Sequence, residues 1–180
     1  MSDKNIQIAT VGGGCFWCVE AVFELLKGVE KTVSGYAGGT PENANYRAVC
    51  SGMTKHAEVI QIHFDAAILS YQEILEIFFT THDPTTLNRQ GNDKGPQYRS
   101  VVFYANEEEK AIAEKVKNGY AKNLYNNPVV TEISPLEKFY KAEKYHQDYY
   151  QKTGDNNPYC TFVVTPKVTK ARKLYADKLK

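Results

Sequence analysis

Apolar and polar positions alternate over 6–11 ("IQIATV"), which predicts a strand. The period then lengthens. Phe16, Val19, Val22, Phe23 and Leu26 fall on one face of a helix, and Gly28 supplies its stop. "VEKTVSGY" (29–36) reads as a second strand, and "AEVIQIHF" (57–64), rich in branched side chains, as a third. Ser70 with Glu73 forms a capping box ahead of Ile74, Leu75, Phe78 and Phe79, so a second helix is expected there. "YRSVVFYA" (98–105) is a further strand, Asn106 with Glu109 opens a helix running to about Asn123, and "PVVTEIS" (128–134) is a strand. Beyond Pro158 the pattern is irregular, apart from a short helix near the end.

The order β-α-β-β-α-β over the first 105 residues matches a split βαβ arrangement. We therefore expect an α+β fold: a ferredoxin-like, two-layer core wrapped by a long irregular C-terminal tail. No internal repeat or flexible linker divides the chain, so residues 1–180 should form a single catalytic domain. The polar stretches 37–56 and 81–97 are longer than chain closure needs, which marks them as candidate functional loops.

Composition adds exclusions. The chain is 24% charged and 42% hydrophobic with a formal net charge of +1, so no basic excess calls for nucleic acid. No membrane span is visible, and the opening "MSDKNIQIA" has no signal-peptide core. A cytoplasmic protein is the expectation, and four cysteines in a reducing compartment are not a static disulfide framework.

Two of those cysteines lie in "VGGGCFWCVEAVF" (11–23). Glycines 12–14 turn the chain from strand to helix and leave Cys15 at the helix start. Free backbone N–H groups and the helix dipole favour a thiolate there, so the Cys15 pKa should fall. This is a setting for a nucleophile. Cys18, nearly one turn on, reads equally as a disulfide partner or a buried filler. Zinc is excluded in practice: Cys50 and Cys160 stand alone, and no second close pair of ligands exists. His56, His63, His82 and His146 have no spacing that demands a metal or a Cys–His dyad, and each reads as structural.

"GCFWCVE" (14–20) resembles the signature of the A-type peptide methionine sulfoxide reductases. The resemblance continues through "VSGYAGG" (33–39), "NANYRAVCSGMTKHAEVIQIHFD" (43–65), "HDPTTLNRQGNDKGPQYRSVVFY" (82–104) and "FYKAEKYHQDYYQK" (139–152). It implies reduction of the S epimer of methionine sulfoxide, free or in proteins, with thioredoxin as reductant and no metal or organic cofactor. The family's nucleophile falls on Cys15, its methyl-receiving aromatics on Phe16 and Trp17, and its acid on Glu58. Its supporting hydroxyls fall on Tyr46 and Tyr98, and a further active-site carboxylate on Asp93. Ala44 stands where the family often carries proline.

The chemistry is coherent on its own terms. Sulfoxide reduction needs a sulfur nucleophile, a proton donor for the oxygen and an apolar socket for the methyl group. A carboxyl in apolar surroundings keeps its proton at neutral pH, and Glu58 begins an alternating strand that can turn it inward. The oxidised Cys15 would condense with a second thiol. The resemblance points to Cys160, with Cys18 as the rival, and Cys50 reads as a core or loop residue. A monomer is expected, acting on methionine sulfoxide and contacting neither nucleic acid nor membrane. A C-x-x-C thiol–disulfide oxidoreductase using Cys15 and Cys18 is the alternative activity. A non-enzymatic module that binds oxidised methionine is a third reading.

Overall fold

The computed structural model describes residues 3–180, the side chain of residue 155 excepted. It is an α+β protein built on a mixed six-stranded sheet. In chain order the elements are β1 (Ile6–Gly12), α1 (Phe16–Phe23), β2 (Val29–Ala37), α2 (Tyr46–Cys50), β3 (Ala57–Asp65) and α3 (Tyr71–Thr80). A two-residue hairpin follows, β4 (Arg89–Gln90) and β5 (Asp93–Lys94), then β6 (Val101–Tyr104), α4 (Glu107–Val116) and α5 (Lys122–Leu124). The chain ends with β7 (Glu132–Pro135), β8 (Phe139–Lys141), α6 (Tyr149–Thr153) and α7 (Thr165–Leu174).

The sheet order is β7-β6-β1-β3-β2-β8. β1 and β2 both pair antiparallel with β3, β6 pairs antiparallel with β1, and only β7 joins in parallel. Side chains along a strand alternate between the two faces. On β3, Ile60, Ile62 and Phe64 therefore enter the main core beneath the helices, while Ala57 and Val59 face a smaller cluster with Val101 and Phe103. Each fully buried aliphatic or phenyl group contributes roughly 1.5–3 kcal/mol. The same alternation puts Glu58 on the helix-bearing face, one step before Ile60.

Local signals hold up well. Ser70 Oγ accepts from the Glu73 N–H at 3.1 Å and Glu73 Oε2 from the Ser70 N–H at 2.8 Å, completing the predicted capping box. Asn106 caps α4 in the same manner, its Oδ1 accepting from Glu109 N–H at 2.9 Å. The expected 98–105 strand shortens to Val101–Tyr104, because Pro96–Tyr98 forms a tight turn.

The C-terminal third departs most from the sequence expectation. β8 adds to the far edge of β2, with Tyr36 opposite Tyr140. After Pro158 the chain is helical through much of 160–174, and Cys160, Val164, Val168 and Ala171 are buried in the main core. Positions 160, 164, 168 and 171 recur at helical spacing, a stripe that the irregular reading of this segment missed, and they pack on α1 and α6.

Candidate active site

The site is assembled where β1 passes into α1. Gly12 runs so close to β3 that a Cβ would lie 2.6 Å from the Glu58 carbonyl oxygen, so only glycine fits. Gly14 takes φ +92°, and the Gln90 side chain packs against it. Cys15 then caps α1 and is only 8% exposed.

The expected low thiol pKa is not what the surroundings produce. The Trp17 N–H at the helix start favours a Cys15 thiolate, but burial pushes the thiol well above its ordinary value, and Glu58 and Cys18 push the same way whenever they are ionised. The helix terminus is outweighed because it acts on a sulfur removed from water and faced by acidic groups. All four cysteines are thiols.

Glu58 is 1% exposed, and its Oε1 accepts the Phe16 N–H at 3.1 Å. Burial pushes its carboxyl up to about 8, against the opposing effect of that hydrogen bond. At neutral pH it is largely protonated, and because Oε1 is already an acceptor, Oε2 carries the proton. Tyr46 and Tyr98 are half-buried; burial, reinforced by Glu58, raises both phenols. The structure thus brings Cys15, Glu58, Tyr46 and Tyr98 within mutual electrostatic reach, on β1–α1, β3, α2 and the turn before β6. Asp93, on β5, accepts a hydrogen bond from the Tyr159 hydroxyl. Its charge also acts on Cys15 and Glu58.

The two aromatics differ. Phe16 is fully buried, its ring 5.7 Å from Tyr36 and 5.0 Å from His146 between centroids. Trp17 is half-buried. Its indole stacks on Tyr149 at 3.7 Å between centroids, and its Nε1 donates to His146 Nδ1 at 3.2 Å. Burial lowers the His146 pKa, so the ring is neutral at pH 7 and carries its proton on Nε2.

Cys18 is 2% exposed, and burial raises its thiol although Lys167 and the Tyr159 hydroxyl oppose the rise. It feels the charge of Cys160 and in turn acts on Cys15. Cys160 is fully buried in a helical turn rather than in an open tail. Cys50 ends α2, half-buried and hydrogen-bonded by Tyr46.

Several contributors escaped sequence reasoning. Tyr36 lies opposite Glu58 across the β2–β3 ladder and donates to Glu143 Oε1 at 2.9 Å. Glu143 also accepts the Tyr46 N–H at 3.1 Å. Burial alone would raise Glu143, but its own backbone N–H, together with the Tyr36, Tyr46 and Tyr145 hydrogen bonds, holds it below its ordinary value. His146, Tyr149 and Tyr159 line the same site from the C-terminal third. His146 and Tyr149 fall within "FYKAEKYHQDYYQK", a stretch that carries the family resemblance without a role assigned to either residue, and Tyr159, in "NNPYC", had no signal of its own. Among the other histidines, His56 is buried with Nε2 bonded to the Thr40 carbonyl at 2.7 Å, and His82 links the Phe78 carbonyl to Ser100. Both are structural, as expected.

A single group of three carboxylates among the described residues, Glu20, Glu24 and Asp148, brings ligand atoms within 4.8 Å, and it lies outside the Cys15 site. No helix among the described residues is long and apolar enough to cross a membrane.

Comparison with known proteins adds four findings. A family model described as peptide methionine sulfoxide reductase matches residues 7–179. The peptide methionine sulfoxide reductase MsrA of Saccharolobus solfataricus is 55% identical over 175 residues, covering 97% of this chain and 98% of that one. Among solved structures, reduced Mxr1 from Saccharomyces cerevisiae superimposes with a TM-score of 0.78 at 35% identity, covering 85% of this chain and 86% of Mxr1. Mxr1 in complex with Trx2 matches with a TM-score of 0.58 at 25% identity, over 77% of this chain and 82% of that one.

Proposed function

The chain belongs to the peptide methionine sulfoxide reductase family, and on that premise we propose that it reduces the S epimer of methionine sulfoxide, free or in proteins, through Cys15. The observation that carries this is the pairing of a buried Cys15 with a buried Glu58 whose Oε1 accepts the N–H of the very next residue, in surroundings that push the carboxyl up to about 8.

Glu58 Oε2–H, with the Tyr46 and Tyr98 hydroxyls, hydrogen-bonds the sulfoxide oxygen and draws electrons from sulfur. Trp17, backed by Phe16, receives the methyl group. Asp93, held by Tyr159, orients polar groups of the substrate. A Cys15 thiol in its raised state is protected until substrate arrives; the polarised sulfur then favours the thiolate that attacks it. The Cys15 sulfur bonds to the substrate sulfur as the thiol proton passes to the sulfoxide oxygen; a second proton, from Glu58, lets that oxygen leave as water. The Glu58 carboxylate then takes a proton from a water that attacks Cys15 Sγ, the sulfur–sulfur bond breaks, and the products are methionine, protonated Glu58 and a Cys15 sulfenic acid. A second thiol attacks that sulfur and releases water, forming a disulfide. Cys160 is our choice and Cys18 the alternative; Cys18 acts electrostatically on Cys15, and Cys160 acts on Cys18. Thioredoxin then reduces the disulfide by exchange, a role supported by the likeness to Mxr1 in complex with Trx2.

The proposal extends to the architecture. The strand order β6-β1-β3-β2 with antiparallel neighbours supports a ferredoxin-like split βαβ core. We read residues 1–180 as one catalytic domain, acting as a monomer in the cytoplasm without metal or cofactor. A thiol–disulfide oxidoreductase is disfavoured, since dithiol exchange has no use for a buried carboxyl held against the residue after Cys15.

The test is to incubate reduced protein with racemic N-acetyl-methionine sulfoxide and dithiothreitol and resolve the epimers. Loss of the S epimer alone is expected. Persistence of both would overturn the reading.

A further inference from the structure

We propose that a groove beside the catalytic cysteine is a subsite for an apolar side chain neighbouring the oxidised methionine in a polypeptide. The inference rests on the proposed function and deepens it by naming a substrate preference.

The groove, about 540 Å³, runs between the 90–93 hairpin and the segment 158–167. Its inner end belongs to the active site: Asp93 acts on Cys15, Tyr159 sets its ring edge against Trp17 at 5.9 Å between centroids, and Gln90 packs on Gly14 immediately before Cys15. Its outer wall is Phe162, which is 79% exposed. Val163 completes that wall.

Single exposed apolar side chains are ordinary, but Phe162 stands with Val163 in a concave groove beside the catalytic cleft rather than alone on the surface. Three features fix the occupant as substrate chain. The groove is continuous with the place where the sulfoxide must sit, so a residue adjacent to the methionine reaches it without a second docking event. Its lining is apolar along Phe162 and Val163, and its charges are few: Asp93 is engaged by Tyr159, and Lys167 Nζ lies 3.5 Å from Gln90 Oε1. A neutral side chain therefore suits the groove better than an acidic or basic one. Gly91, at the tip of the hairpin, has no atom within 4 Å of its Cβ position, so the chain can pass over it. Cys160 is fully buried in this state, so the groove offers no thiol to a reductant.

The test compares S-sulfoxide substrates with dithiothreitol as reductant: a blocked methionine sulfoxide, and blocked tripeptides with glycine, leucine or aspartate on both sides of it. Leucine should raise kcat/KM about tenfold over glycine, chiefly through KM, while aspartate gives no gain. Phe162→Ser, at an exposed position, should remove the leucine advantage and leave kcat/KM on the blocked amino acid unchanged. Equal values for leucine and glycine in the unmodified protein would overturn the proposal, as would a leucine advantage that survives Phe162→Ser. A variant that keeps the advantage but shows a raised KM for thioredoxin would assign the groove to the reductant and also overturn it. Failure to reduce even the blocked amino acid would overturn the underlying function instead.

Discussion

The Phe16 backbone N–H donates to Glu58 Oε1 at 3.1 Å, joining two residues 42 positions apart. This bond ties the first residue of α1 to the head of β3, directly beside the nucleophile. It also leaves only one oxygen of the carboxyl available to hold the proton.

The first prediction concerns that proton. Glu58→Gln preserves shape but cannot protonate the leaving oxygen. The single-turnover rate should fall by about 100-fold or more, with the fold retained by circular dichroism. Because Glu58 titrates near 8, the donor form is lost as pH rises through that value. The rate of the unmodified protein should decline above about pH 8 in step with this titration, and the component should vanish in Glu58→Gln. An unchanged rate in the variant would remove Glu58 from the mechanism.

The second concerns the carboxylates outside the site. Glu20 accepts from Ser34 Oγ at 2.9 Å and the Tyr149 N–H at 3.2 Å, tying α1 to β2 and α6. Burial pushes Glu20 up to about 7 and Glu24 up to about 8. Their unfolded values lie near 4.3. The folded state therefore binds more protons between these limits, so the associated stability is complete below about pH 4.3 and lost as pH rises through 7–8. Glu24 is partly solvated and contributes less. The thermal midpoint should fall from pH 5.5 to pH 8.5, and Glu20→Gln should flatten that slope. A midpoint rising over this window would contradict the assignment.

The third concerns the indole. His146→Ala removes the acceptor of the Trp17 N–H and a ring packed between Phe16 and Tyr46. Loss of a buried hydrogen-bond partner together with a ring-sized cavity should cost about 3 kcal/mol in urea unfolding. It should also raise KM for methionine sulfoxide by loosening Trp17. A loss below about 0.5 kcal/mol would show that the contact is not maintained in solution.

The fourth concerns resolution. After one turnover without reductant, thiol titration should fall from four to two. Cys160→Ser should still release one equivalent of methionine yet fail to turn over with thioredoxin, whereas Cys18→Ser should sustain cycling. A disulfide linking Cys15 to Cys18, found by mass spectrometry, would transfer the role to Cys18.

By itself the sequence determined the parts of this protein that depend on near neighbours. Alternation set β1 and β3. The Ser70–Glu73 and Asn106–Glu109 spacings set two helix starts, and three glycines before Cys15 set the turn that delivers it. Each is governed by interactions within about four residues or by the two faces of one strand. Alternation even turns Glu58 inward, because it shares a face with Ile60 and Ile62. Tertiary structure decided the rest. The sign of the Cys15 shift depends on burial and on a carboxyl from another strand, which a local helix-dipole argument omits. The pairing of β8 with β2 brings Glu143, His146 and Tyr149 back onto Tyr46 and Trp17. Those contacts join residues about 100 positions or more apart, with no repeating pattern to reveal them. Their positions follow from which sheet edge remains open after the central strands have paired, and that is a property of the assembled sheet rather than of any segment of the chain.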